Sequence, residues 1–185
     1  MSDPTLIHHF LLATPALAGT YFGESIIYLC RHDASGAMGL MVNREAKMNA
    51  RALARSVGLQ PPADALAVNV MEGGPVSPEQ GFILHSDDQL FESSQSTAPG
   101  IAISTSKDAL AAALSLEAPT HAAIYLGYTG WGPGQLDDEL EANAWLTAPA
   151  SRTILFDCPI DLRRARASAA LGIDLRLMAT RIGHG

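Results

Sequence analysis

The stretch Ala122–Trp145 reads AAIYLGYTGWGPGQLDDELEANAW. The apolar run Ala122–Leu126 has the length and composition of a buried strand. Gly127, Gly130, Gly132 and Gly134 follow, with Pro133 among them, and then an acidic helix-like segment, Gln135–Asn143. Strand, glycine loop and helix is the layout that in many proteins cradles an anion. Two features argue against that use here. A dinucleotide fingerprint beginning at Gly130 and Gly132 needs a third glycine where Gln135 stands. The first turn of the helix also carries Asp137, Asp138 and Glu139, which already occupy the positive end of its dipole. A diphosphate would meet three carboxylates, whereas uncharged or cationic ligands stay compatible. The plain alternative is a tight turn whose acids stabilise the helix start.

Two tryptophans frame this helix. Trp131, set between glycines, either plugs the core or offers its face to a partner. Trp145 falls nearly opposite the stripe of Leu136, Leu140, Asn143 and Ala144 if the helix stays regular. The helix therefore ends near Asn143, or Trp145 packs elsewhere, as a second core contact or as a partner-facing anchor.

Upstream, Leu6–Ala13 reads as a first strand, closed by Pro15. Ser25–His32 reads as a strand buried on both faces, and a turn at Asp33–Gly36 pairs it with Ala37–Val42 as a hairpin. Asn49–Val57 reads as a helix capped by Asn49 and ended by Gly58. Short strands follow at Val68–Met71, Gly81–His85 and Gly100–Ile103, with Asp87–Ala98 as polar loop or edge strand. Lys107–Leu116 is a helix, Arg152–Phe156 a strand and Leu162–Leu171 a helix stopped by Gly172. Hairpins in the first half and crossover helices in the second predict a mixed α+β class with three to four packing helices. A chain of 185 residues is expected to form one domain, 1–185, since domains run to about 100–200 residues.

Apolar residues make up 48% of the chain and charged ones 17%, so some exposed surface is apolar and a partner is plausible. The net charge of −7 repels phosphate backbones and anionic membranes, so neither nucleic acid nor membrane is an expected partner. Arg163, Arg164, Arg166, Arg176 and Arg181 gather near the C-terminus and leave open a local basic patch, the alternative being a solvated helix face. No window reaches the roughly 20 apolar residues of a membrane span. The N-terminal segment lacks the positive start and unbroken apolar core of a secretory signal, which predicts a cytoplasmic protein.

Several constellations invite chemistry. Cys30 and His32 are two apart on a strand and would share a face. An imidazolium there would lower the thiol pKa, and the competing reading is an inert buried thiol. Ser104-x-x-Lys107 matches the spacing of serine acyltransferases without their companion motifs; Thr105 or Ser106 capping the next helix explains the cluster equally well. His85-Ser86-Asp87 holds triad residue types, but triads meet through folding and Ser86 would face away from its neighbours. Neither the two cysteines nor the six histidines show metal-ligand spacing, so no metal and no cofactor is expected.

Three blocks carry a resemblance: Thr14–Arg44 (TPALAGTYFGESIIYLCRHDASGAMGLMVNR), Glu72–Ser86 (EGGPVSPEQGFILHS) and Leu126–Leu146. In order and across nearly the whole chain, they resemble the AlgH/YqgE family of bacterial proteins. The resemblance implies a compact α/β fold with a strongly bent sheet, a cytoplasmic setting and a label as transcriptional regulator of exopolysaccharide synthesis. It brings no agreed catalytic residues. The tail Thr180–Gly185, TRIGHG, departs from the small-residue segment ending GHA that relatives favour. Three functional classes follow. The first is a non-enzymatic regulatory protein with a protein partner, its candidate ligand or partner residues being Cys30, His32, Trp131, Gln135 and Trp145. The second is a thiol-redox or small-molecule-binding enzyme using Cys30. The third is a direct DNA-binding repressor.

Overall fold

The computed structural model describes residues 5–175, 177 and 178. In chain order the elements are β1 (His9–Ala13), β2 (Ile26–Asp33), β3 (Gly36–Met41), α1 (Ala50–Ser56), β4 (Asn69–Glu72), β5 (Val76–Ser86), β6 (Gln95–Ala98) and β7 (Ile101–Ser104). Then come α2 (Lys107–Ala113), β8 (Ala122–Trp131), α3 (Gln135–Glu141), β9 (Trp145–Pro149) and α4 (Arg163–Ala170). The class is mixed α+β. The described residues gather into two compact units, one made of those up to Asn43 with those from Gly130 onward, the other of Arg44–Thr129.

In the discontinuous unit, β1 lies between β2 and β9 and β2 continues to β3, all antiparallel. The β2–β3 hairpin forms as its turn residues require. Ile26, Ile27, Tyr28 and Leu29 are all buried, which is why this run carries no polar face. One core gathers Leu11, Ala13, Ile27, Leu29, Ala37, Met41, Trp131, Leu136 and Trp145. Phe10 and Tyr28, on the opposite face of the strands, meet edge-on. Helix α4 packs against β1 and β9. Gly36 sits so close to the Trp131 carbonyl that a side chain there would collide with it, and its φ of 133° is one that L-residues rarely adopt.

In the continuous unit, β5 runs antiparallel to β7 and β8, β6 edges β7, and β4 pairs in parallel with β8. Helices α1 and α2 bury Ala50, Leu53, Ala54, Ala109 and Ala113 against Val70, Ile83 and Ile124. Asn49 caps α1, its Oδ1 accepting the Ala52 amide at 2.9 Å, and Gly58 follows with φ 75°.

Three expectations need correction. The glycine loop is not a loop at its start: β8 continues through Gly127 and Gly130 to Trp131. Arg152–Phe156 is not a strand. Thr153–Asp157 forms a π-helical turn in which the Cys158 amide reaches back to the Thr153 carbonyl. The two neighbours of β1 are β2 and β9, and β9 begins just after the stretch read as the acidic helix. Lastly, Thr105 and Ser106 do not cap α2 with their side chains. Ser93, from the loop before β6, instead holds the approach to the helix, its Oγ accepting the amides of Thr105 at 2.8 Å and Ser106 at 2.9 Å.

Candidate functional site

Helix α3 starts after Gly134, whose φ of 74° turns the chain out of β8. It buries Leu136 and ends at Glu141. Asn143 then takes φ 57°, the left-handed conformation that asparagine tolerates better than most residues. The chain reverses there, so Trp145 opens strand β9 rather than lying on the helix.

The reversal brings both tryptophans to one carboxylate. Glu139 Oε2 accepts the indole N–H of Trp131 at 2.9 Å and that of Trp145 at 2.7 Å. Its Oε1 accepts from Gln135 Nε2 at 3.0 Å, and Gln135 Oε1 accepts the Gly132 amide at 3.0 Å. The two indoles meet edge-to-face with centroids 6.1 Å apart, and Phe22 packs on Trp145. Trp131 is 6% exposed and Trp145 3%, so both are core residues with their one polar atom satisfied. Of the sequence-derived candidates, Trp131, Gln135 and Trp145 converge on Glu139. Glu139 reads in the sequence as one of three helix-start acids; the signal that singles it out is its spacing, four residues after Gln135 and eight after Trp131.

His32 reaches the same helix from β2. Its Nε2 lies 3.8 Å from Asp137 Oδ1. Its Nδ1 accepts the Leu6 amide at 3.0 Å, which requires that nitrogen to be unprotonated and fixes a neutral Nε2–H ring in this geometry. Cys30 does not join it. The β2–β3 register slips between Leu29 and Arg31, leaving Cys30 as the unmatched residue of a bulge, and its thiol makes no hydrogen bond to His32 among the described residues. Its thiol turns to the Tyr28 carbonyl at 3.7 Å. The residue keeps partial exposure, yet the protein packed around the sulfur desolvates it and pushes the thiol up to about 12. This environment raises the pKa that a charged His32 would have lowered.

The serine and histidine motifs meet in the other unit. His85 Nε2 lies 2.8 Å from Ser104 Oγ, and Nδ1 lies 2.9 Å from the Ser86 carbonyl. A carbonyl only accepts, so Nδ1 carries the proton and Ser104 donates to Nε2. Ser104 in turn accepts from Ser94, which accepts the Phe91 amide at 2.7 Å. Every group in this relay is satisfied, and His85 at 0% and Ser104 at 1% exposure are sealed from any substrate. Lys107 is exposed while Ser104 is buried, so the acyltransferase spacing is not realised as a site. Ser86 instead bonds Asp88, which also takes the Thr120 amide and hydroxyl; these donors hold the Asp88 carboxyl down at about 2.

The C-terminal arginines divide. Arg163 is buried and donates to the carbonyls of Val42 at 2.7 Å and Cys158 at 3.2 Å. Arg164 donates to the Ala13 carbonyl at 2.9 Å. Arg166 is exposed, and Arg176 and Arg181, with the tail Thr180–Gly185, lie outside the described residues. Two arginines of the expected basic face are thus turned inward as backbone staples. Among the described residues no group of three or more His, Cys, Asp or Glu side chains is placed to hold a metal, and no helix is long and apolar enough to cross a membrane.

The fold and this cluster define a mixed α+β protein whose two tryptophans are tied to one helical carboxylate. The chain belongs to the AlgH-like family, whose profile matches residues 10–176. It is 42% identical to a UPF0301 protein of Stutzerimonas stutzeri, over 97% of this chain and 95% of that one. With a UPF0301 protein of Saccharophagus degradans it shares 40% identity over 97% of this chain and 89% of the other. The solution structure of the AlgH protein from Pseudomonas aeruginosa superposes with a TM-score of 0.80 at 41% identity, covering 100% of this chain and 99% of that one. An X-ray structure of a Corynebacterium diphtheriae protein has the same fold at a TM-score of 0.72 and only 14% identity, covering 97% and 94%.

Proposed function

We propose that this protein is a non-enzymatic regulatory protein of the bacterial cytosol that works through a protein partner, and that α3 is its docking face. The observation that carries the reading is the anchoring of α3 through Glu139. With Glu139 held by three donors and Leu136 in the core, Asp137, Asp138 and Glu141 are left exposed on a helix whose position is fixed. A rigid acidic face suits a basic protein segment, since charge complementarity steers encounter and suppresses wrong partners. Any effect on transcription then passes through that partner rather than through DNA.

The test is quantitative cross-linking and affinity capture in the native bacterium, comparing wild type with a triple variant, Asp137→Asn, Asp138→Asn and Glu141→Gln. These exposed changes are expected to leave the melting temperature in place, as surface substitutions generally do. The specific partner should be recovered about tenfold less from the variant, in line with the loss of interfacial charge pairs. Equal recovery from both proteins would remove α3 as the docking face.

A further inference from the structure

Helix α1, in the continuous unit, carries an electrostatic conflict. Its sequence, ARALARS, holds two charged residues, Arg51 and Arg55, both positive. Four residues apart, they are neighbours on one face of the helix, where like charges repel. Arg55 lies in the last turn and suits the helix dipole. Arg51 is the informative one: it stands in the first turn, at the positive end, and no acid in that turn offsets it. Both side chains are exposed, and neither guanidinium makes a hydrogen bond or ion pair among the described residues. Glu45 and Asp64, the acids that flank this segment in sequence, pair with neither. In a chain of net charge −7, two unpaired arginines side by side do not serve folding, and such local exceptions gather at functional sites.

Both arginines line a cleft of about 300 Å³, at the lower end of the range for small-molecule sites. The end of α1 builds it. Gly58 takes φ 75° and its amide donates to the Arg55 carbonyl at 3.1 Å, while the Leu59 amide reaches back to the Ala54 carbonyl at 2.8 Å. This closure folds the chain back on the helix end and sets Leu59, Gln60 and Pro61 into the cleft with the two arginines, and Leu66 completes the lining. Leu59 and Leu66 pack against the core around Leu53 and Ile124, so the apolar wall is fixed. No carboxylate lines the cleft among the described residues. Asn49 already caps the helix, so the groups on offer are side chains rather than free amides.

We propose that this cleft binds a small phosphate monoester with a compact apolar group, the phosphate on Arg51 and Arg55 and the apolar group against Leu59, Pro61 and Leu66. A guanidinium presents a planar fork that matches oxyanion geometry. A phosphate monoester has three terminal oxygens and a charge of about −2, enough to engage two forks and balance both. A monocarboxylate serves one fork and leaves the like-charge conflict in place. Inorganic phosphate leaves the apolar wall wet. Helix α3 belongs to the other unit, so this site does not rest on the docking reading.

The experiment is a nitrogen-15 NMR titration of the full chain with phenyl phosphate, run beside benzoate and inorganic phosphate. Phenyl phosphate is expected to give saturable shifts along α1 and over residues 58–66, with Kd tighter than about 1 mM. Benzoate, which lacks the second charge, and inorganic phosphate, which lacks the ring, should each bind at least about tenfold more weakly. Arg51→Gln and Arg55→Gln should each weaken phenyl phosphate about tenfold. Because Arg51 opposes the dipole and its neighbour, Arg51→Gln should leave the melting temperature unchanged or raise it, which separates lost binding from lost folding. The absence of saturable phenyl phosphate shifts in the wild type would overturn the proposal. So would an affinity unchanged in either variant, or either control binding as tightly as phenyl phosphate. A lowered melting temperature in Arg51→Gln would do the same, since the arginine would then serve the fold.

Discussion

Glu139 does for two residues what a core usually cannot do cheaply. An indole is large and apolar, but its N–H must find an acceptor once buried. One carboxylate oxygen meets both. Glu139→Ala would leave two indole donors without that partner at about 1–3 kcal/mol each, so a loss of about 2–6 kcal/mol is expected. Trp131→Ala removes the ring itself and should cost about 3–5 kcal/mol. Urea unfolding checks both, and for Glu139→Ala the tryptophan fluorescence reports this site alone, since the chain's two tryptophans both lie here. A loss below about 1 kcal/mol for Glu139→Ala would mean that water satisfies the indoles and that the carboxylate is not what holds them. Cys30 behaves in the opposite sense, as a group kept neutral. With its thiol at about 12, only about one molecule in ten thousand carries the thiolate at pH 8. Iodoacetamide should therefore label Cys158 before Cys30, with Cys30 labelling rising tenfold per pH unit as long as the fold holds. Rapid labelling of Cys30 near neutral pH would refute this and restore the thiol-enzyme reading.

At the scale of the element, what could be read in the sequence was what periodicity and turn chemistry encode. The β2–β3 hairpin, the Asn49 cap and the Gly58 stop of α1 were all legible, because each depends on a few neighbouring residues. Strand β9 was hidden because no glycine announces the reversal before it; Asn143 takes the left-handed turn instead. The π-turn at Thr153–Asp157 was misread because Ile154, Leu155 and Phe156 form an apolar run too short for periodicity to separate helix from strand. The convergence on Glu139 needed the fold, since Trp145 reaches it only after the chain has turned back. Gly127 shows why β8 outlasts its apolar run. Its φ is 73°, and a Cβ there would press on the Gly74 carbonyl oxygen, well inside contact distance. Gly127→Ala must therefore strain the backbone and displace a neighbouring main chain, at a cost on the order of 3 kcal/mol. Thermal unfolding measures this. A variant as stable as the wild type would show that the approach of these two segments is adjustable.

Over the whole molecule, the relatives say how far side chains can change while the architecture persists. A structure only 14% identical keeps the fold, so function must be sought in particular side chains rather than in the architecture. The charge distribution is one such property, and it bears on direct DNA binding. Affinity for duplex DNA rests largely on lysine and arginine contacts to phosphates, at a cost that rises with salt. This chain carries 19 acidic residues against 12 basic ones. The arginines of α4 do not compensate, because Arg163 and Arg164 bond backbone carbonyls and only Arg166 of the three is exposed. The isolated protein is therefore expected to bind genomic duplex no more tightly than the non-specific range, with Kd weaker than about 1 μM at physiological salt. Fluorescence anisotropy against a fragment library decides the matter. Sequence-selective binding well below that value, lost on Arg166→Ala and falling steeply with salt, would make the protein a direct repressor and leave the α3 docking face without its proposed role.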